Sequence, residues 1–111
     1  MLSANEYQLL AARTINKNLS LGGAQLHALF GMASEVGELH GIYQKHYQNH
    51  KMEKEHKMKE CGDILWMIAE YCTANGWALE DVMQMNIDKL KARYPEGFDP
   101  EKSQHRKEGD I

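Results

Sequence analysis

Apolar positions recur along this chain with the three-to-four-residue period of helices, and no segment shows the sustained alternation of a strand. Ser3 stands three residues before Glu6, the spacing of a capping box, and Tyr7, Leu10, Ala11 and Thr14 follow on one face. A first helix is predicted from Ser3 to Lys17. The paired glycines Gly22 and Gly23 break the pattern, and a second helix is predicted from Ala24 to Tyr47, with Leu29, Met32, Val36, Leu39 and Tyr43 as its apolar stripe. The polar run "QNHKMEKEHK" leads into a third helix, Glu53 to Ala74, which Asn75-Gly76 stops. Leu79, Val82, Met83, Ile87 and Leu90 line a fourth helix that ends near Tyr94-Pro95. The expectation is an all-α antiparallel bundle of about four helices, one domain over 1–98. The polar tail 99–111 holds too few apolar residues to fold alone, so its end is expected to be mobile while "GFD" docks.

Two helices carry acid where the pattern asks for burial. In "MASEVGELHGIY", Glu35 and Glu38 lie three residues apart, and "KECGDILWMIAEY" repeats the spacing with Glu60 and Asp63. On a helix such pairs share one face, and like charges so placed repel. Burying them without partners costs several kcal/mol, roughly, so neither pair benefits the fold. Solvated helix edges, neutralised by Lys45, Lys57 or Lys59, are the structural explanation. The flanks argue against it: Gly31, Ala33, Val36, Gly37 and Gly41 surround one pair and Ile64, Leu65, Trp66 and Met67 adjoin the other. Four hard carboxylate ligands from two facing helices suit Mg²⁺ or Mn²⁺, and Mg²⁺ takes further ligands from water and substrate phosphates.

Composition bounds the rest. The 111 residues amount to one domain, 42% hydrophobic and 26% charged, with net charge −3. That balance gives no global field for a nucleic-acid polymer or an anionic membrane, whereas a free nucleotide needs only a local site. "MLSANEYQLL" has neither a basic leader nor a long apolar run, so no signal peptide and no membrane span are expected, and the cytoplasm is the expected compartment. Cys61 and Cys72 lie too far apart on one helix for a disulfide and are expected to be buried free thiols.

"SEVGEL", 21 intervening residues, and "ECGDILW" resemble the E-E-x-x-E … E-x-x-D signature of the MazG-like, all-α nucleotide pyrophosphohydrolases. "NEYQLLAART" near the start, and "NIDKLKARYPEGF" with "EKSQHR" near the end, are similar to the flanks of the family's short single-domain bacterial and phage members. The resemblance covers most of residues 3–106. Ser34 departs from the fullest pattern, which has its first glutamate there. The resemblance implies Mg²⁺-dependent cleavage of a nucleoside triphosphate between its α and β phosphates, giving monophosphate and pyrophosphate. Glu35, Glu38, Glu60 and Asp63 match the family's metal ligands, and Asn86 and Lys89 its nucleotide-contacting positions. Arg93 extends the stripe of Lys89 and is placed with them. Any of the four acids is open to the role of general base, Glu38 first and Glu35 next, and Lys89 would stabilise oxygens that gain charge.

Other candidates are weaker. His46 and His50, or Glu53 and His56, have metal-like spacings but fall in the polar connection and read as solvated. Trp66 and Trp77 read as core or interface rather than base-stacking platforms. No Walker-type loop and no nucleophile with an assembled triad is present. A non-catalytic metal- or nucleotide-binding bundle, and a helical interaction module, are the alternatives to the enzyme. So short a four-helix chain buries little surface alone, and a homodimer or homotetramer is expected.

Overall fold

Three of the five helices begin where a side chain satisfies a free amide at the helix start. In the computed structural model, which describes residues 1–111, Ser3 opens α1 (Ala4–Ala12) with a complete capping box, its hydroxyl accepting from the Glu6 amide. Ser20 opens α2 (Leu21–His46) by accepting from the Gly23 amide. Asp99, followed by Pro100 in the first turn, opens α5 (Pro100–Gln104). Between them run α3 (Lys54–Ala74) and α4 (Leu79–Arg93), and no strand is present beyond one isolated bridge at Pro95–Gly97. The all-α expectation holds.

The boundaries differ in instructive places. α1 stops at Ala12 instead of continuing to Lys17, because the Thr14 hydroxyl donates to the Ala11 carbonyl and the Asn16 side chain accepts from the Asn18 amide. Such local bonds offer the backbone an alternative to the helix. α2 starts at Leu21, so Gly22 and Gly23, read as a break, form its first turn under the Ser20 cap. Gly76, with φ +73°, makes the expected turn after α3.

α2 and α3 lie antiparallel, as the cross-links show: His27 meets Glu70 at one end and Gln25 bonds Asn75 beyond it. They approach closely at Gly31, where a Cβ would run into the Met67 side chain. α1 crosses α3 and clasps the turn into α4. Gln8 donates to the Trp77 carbonyl at 2.9 Å and to the Thr73 hydroxyl at 3.2 Å, and accepts from the Leu79 amide at 2.8 Å. Trp66 bonds the Thr14 hydroxyl at 2.8 Å. The small core here joins Ala69, Cys72 and Leu79 to Tyr7, Ala11 and Ile68.

Only 7 of the 111 residues are buried, too few for a closed bundle. The radius of gyration is 17.2 Å, against roughly 13 Å for a compact chain of this length. Two apolar stripes explain the difference. Leu29, Val36 and Tyr43 on α2 are exposed and Met32 and Leu39 half-buried, while Ala28 and Ile42 are buried, so the stripe read as core faces outward in part. On α4 every residue from Glu80 to Ala92 is exposed. Cys72 is a buried free thiol as expected, but Cys61 is exposed. The chain's end also reverses expectation: Phe98 is 74% exposed, whereas Asp110 is held by Arg93. No helix is long and apolar enough to cross a membrane.

Candidate functional site

The close approach at Gly31 decides which side chains enter the seam between α2 and α3. Ala28, Gly31, Glu35 and Ile42 share the α2 face turned to α3, while Glu60, Asp63, Met67 and Glu70 recur on the opposing face. Glu35, Glu60 and Asp63 therefore converge. Each offers one carboxylate oxygen, and these atoms all lie within 4.8 Å of one another, a group that could hold a metal ion.

The electrostatics match that crowding. Burial pushes the Glu35 carboxyl above its ordinary range, and the charges of Asp63, Glu60 and Glu38 push it further, with a hydrogen bond to Glu60 adding to the shift. Burial likewise raises the Tyr7 phenol, with help from Asp63. No lysine or arginine relieves the trio. Lys59 pairs with Glu55 at 3.5 Å, Lys57 lies over the Tyr43 ring at 5.6 Å, and Lys45 lines the neighbouring cavity. None of the three lysines named for a neutralised helix edge pairs with the trio, and Lys45 shares its cavity with Glu38 instead. Glu60 Oε1 meets His56 Nε2 at 3.3 Å, whereas Glu60 Oε2 is buried and finds no hydrogen-bond donor while Glu35 is ionised. A buried carboxylate oxygen without a donor is costly, and a cation is the simplest partner for it.

The fourth expected ligand stands apart. Glu38 is close enough to raise Glu35 yet lines a separate cavity of about 210 Å³ with Gly41, Lys45, His50, Lys51 and His56. Asn86 and Lys89 sit on α4, in a groove of about 780 Å³ that Trp77, Val82 and Met85 also line. Arg93, one turn on, is engaged by Asp110 rather than by nucleotide-facing groups. Within one chain the structure assembles three carboxylates in one place and the candidate nucleotide contacts in another.

Sequence reasoning passed over two neighbours of the trio. His56 carried a signal, its i,i+4 spacing to Glu60, but was read as solvated with the rest of the connection. Tyr7 carried none, since only the crossing of α1 over α3 brings it near Asp63. The buried Glu70, 3% exposed and 3.0 Å from His27 Nδ1, serves the helix pair one turn beyond Met67.

No curated protein and no solved structure matches the chain. The family model of the MazG nucleotide pyrophosphohydrolase domain matches residues 25–98, a span that begins in α2, contains all four acids and the whole of α4, and ends at Phe98. With two thirds of its length covered and an acidic cluster set between two antiparallel helices, the chain belongs to the MazG nucleotide pyrophosphohydrolase domain family.

Proposed function

We propose that this protein is an Mg²⁺-dependent pyrophosphohydrolase that cleaves a nucleoside or deoxynucleoside triphosphate to the monophosphate and pyrophosphate. The observation that carries the reading is a convergent trio of carboxylates that no lysine or arginine neutralises, with Glu60 Oε2 buried and without a donor when the trio is ionised. Glu35, Glu60 and Asp63 would hold Mg²⁺, or Mn²⁺ in its place, with Glu38 completing the set from the next turn of α2. A divalent ion bound there supplies charge neutralisation to the triphosphate and an acidified water.

The chain's own groups do the rest. His56 orients Glu60 through its 3.3 Å contact. Glu38, the acid outside the trio and open to a cavity, takes the proton from the attacking water; Glu35 is the second choice. Lys89 and Asn86 bind the nucleotide, with Lys89 stabilising phosphate oxygens as they gain charge. Arg93 joins them at the end of α4.

The active form in this reading is a homo-oligomer, a dimer or a dimer of dimers. The uncovered apolar faces of α2 and α4 need a second copy to bury them, and Asn86 and Lys89 lie on the helix that the second copy would cover.

Product analysis tests the reaction. With Mg²⁺ and a panel of triphosphates, pyrophosphate should be the direct product, and inorganic phosphate should appear only after a pyrophosphatase is added. Phosphate released alongside a nucleoside diphosphate would overturn the reading. Lys89→Ala should lower kcat/KM while leaving Mn²⁺ binding to the free protein near wild type.

A further inference from the structure

His56 is the nitrogen group that the fold sets against the carboxylate trio, its Nε2 standing 3.3 Å from Glu60 Oε1. It lies in the first turn of α3, and His56, Glu60, Asp63 and Met67 recur at helical spacing on the face turned to α2. The antiparallel register that places Gly31 beside Met67 and His27 on Glu70 continues toward the start of α3. Glu35 comes level with Asp63, Glu38 with Glu60, and Ile42 with His56. The cavity of about 210 Å³ shows the last of these steps, since Glu38, Gly41, Ile42 and His56 line it together. His56 therefore joins two parts of the acid set that otherwise stand apart, Glu60 in the trio and Glu38 beside it.

Two neighbouring ligands on one octahedral ion, each about 2.1 Å from it, lie about 3 Å apart. The 3.3 Å between Nε2 and Oε1 is close to that spacing. In the metal-free chain Nε2 carries the proton that the carboxylate oxygen accepts, and an ion taking the place of that proton requires little movement of either side chain. The surrounding charge permits it. Lys45, His50 and Lys51 line the cavity as well, but Lys51 pairs with Glu53 at 3.7 Å and is 85% exposed to water. Lys45 is then the one close cation, against Glu35, Glu38, Glu60 and Asp63. Carboxylates alone suit Mg²⁺, whereas an imidazole nitrogen beside them adds affinity for first-row transition ions and little for Mg²⁺.

We propose that His56 is a direct nitrogen ligand, with Glu38 and Glu60, to a divalent ion at the open end of the seam, and that it biases the centre toward Mn²⁺ over Mg²⁺. Resting on the metal reading of the trio, this gives the centre a ligand outside its acids. The Nε2 that holds Glu60 in the metal-free chain is the nitrogen that meets the ion.

Mn²⁺ is the probe, and no turnover is needed. With Mn²⁺ bound to the full chain, electron spin echo envelope modulation should show a coupled imidazole nitrogen. His56→Ala should abolish that signal, while His50→Ala, in the same cavity, should leave it. Calorimetry should find Mn²⁺ affinity about 10-fold lower in His56→Ala and Mg²⁺ affinity changed less than about twofold. His56→Gln separates a ligand from a prop: its amide can still donate to Glu60 but offers no imidazole nitrogen, so the signal should be absent and Mn²⁺ affinity low there too. His56 is 59% exposed, so both variants should keep native helix content, which circular dichroism checks. A bound Mn²⁺ without nitrogen coupling in the wild-type protein, coupling that survives His56→Ala, or Mn²⁺ affinity restored by His56→Gln would overturn the ligand. Asp63→Asn tells which reading has failed. Mn²⁺ binding that depends on Asp63 but shows no nitrogen removes His56 alone; Mn²⁺ that binds wild type and Asp63→Asn equally, or neither, removes the carboxylate centre and His56 with it.

Discussion

From Gln25 to Ile42 on α2, and from Glu60 to Asn75 on α3, the chain finds within itself nearly every contact those faces need: Gly31 against Met67, His27 on Glu70, Gln25 on Asn75. α4 is built of equally apolar turns, yet it is fastened mainly at its first one, where Leu79 is buried, the Leu79 amide meets Gln8 and Glu80 meets Asn5 at 2.7 Å. The rest of α4 stands in solvent with Val82, Met83, Met85, Ile87 and Leu90 exposed. An intrachain seam can be made of small residues and can afford to contain acids, because Gly31 and Ala28 let the backbones close around them. A large apolar face without cover is the kind of surface that a protein partner buries. The carboxylates thus sit on the part of the fold that one chain completes, and the candidate nucleotide contacts on the part it does not.

The largest effect should come from breaking the seam's chemistry without breaking its packing. Asp63→Asn keeps the side chain's size and removes one negative charge from the trio. Changes to groups that merely support a metal's ligands cost about 10–100-fold, so loss of a ligand charge should lower Mg²⁺-dependent turnover by more than about 100-fold. Turnover measured across Mg²⁺ concentrations checks this. Activity near wild type would remove the trio from the mechanism.

On the other side of the comparison, Ile87→Asp sets a charge in the middle of the uncovered α4 face. If a second copy buries that face, the charge costs several kcal/mol, roughly, and the oligomer should dissociate at micromolar concentration. Light scattering reads the mass. An unchanged oligomer would move the interface to α2, and a wild-type monomer would remove it.

These two regions also divide what could be read in the sequence. Helix order, the start of α1 and the ends of α3 and α4 were legible, because caps and stops are local: Ser3 with Glu6, Asn75 with Gly76, Tyr94 with Pro95. The acids were legible because paired like charges beside apolar residues have no structural use. Facing was not. Leu29, Val36 and Tyr43 form a true apolar stripe, but periodicity says that a stripe is covered, not by which molecule, and α3 takes the adjacent face of Ala28, Gly31 and Ile42. Nor could spacing show that Glu38 opens to a separate cavity, or that α1 brings Tyr7 to Asp63, since both depend on how helices cross. Asp110 was invisible for a related reason: a lone acid in a polar tail gains meaning only when Gly109 turns it onto Arg93.

A stability pair sharpens the contrast within α2 itself. Gly31→Val drives two methyl groups toward Met67, which is 3% exposed and has little room to yield, and should cost about 1–3 kcal/mol. At Gly37 an added Cβ meets nothing within 4 Å, so Gly37→Ala should gain up to about 1 kcal/mol from helix propensity. Urea denaturation of both variants measures the difference. Equal and small changes would mean that the close approach at Gly31 does not hold the seam.

The smallest effect concerns protons in the metal-free protein. The Glu35 carboxyl is raised in the folded chain by burial first and then by Asp63, Glu60 and Glu38. Between the ordinary glutamate range and that raised value, the folded state binds more protons than the unfolded state, so stability must fall as pH rises through this window. Above the window the penalty is fully present; below the unfolded pKa it is gone. Asp110 has the opposite sign, because its lowered pKa adds stability above the unfolded value that is lost as pH falls through the folded one. In EDTA, Glu35→Gln should therefore melt slightly above wild type at neutral pH, and the gap should close as the solution is acidified toward the ordinary glutamate range. Mg²⁺ should reverse the order, by stabilising the wild-type trio and not the variant. Melts of equal temperature at neutral pH, or a gap that ignores pH, would show that Glu35 is relaxed by water in the free protein and that the crowding of the seam carries no strain for a cation to relieve.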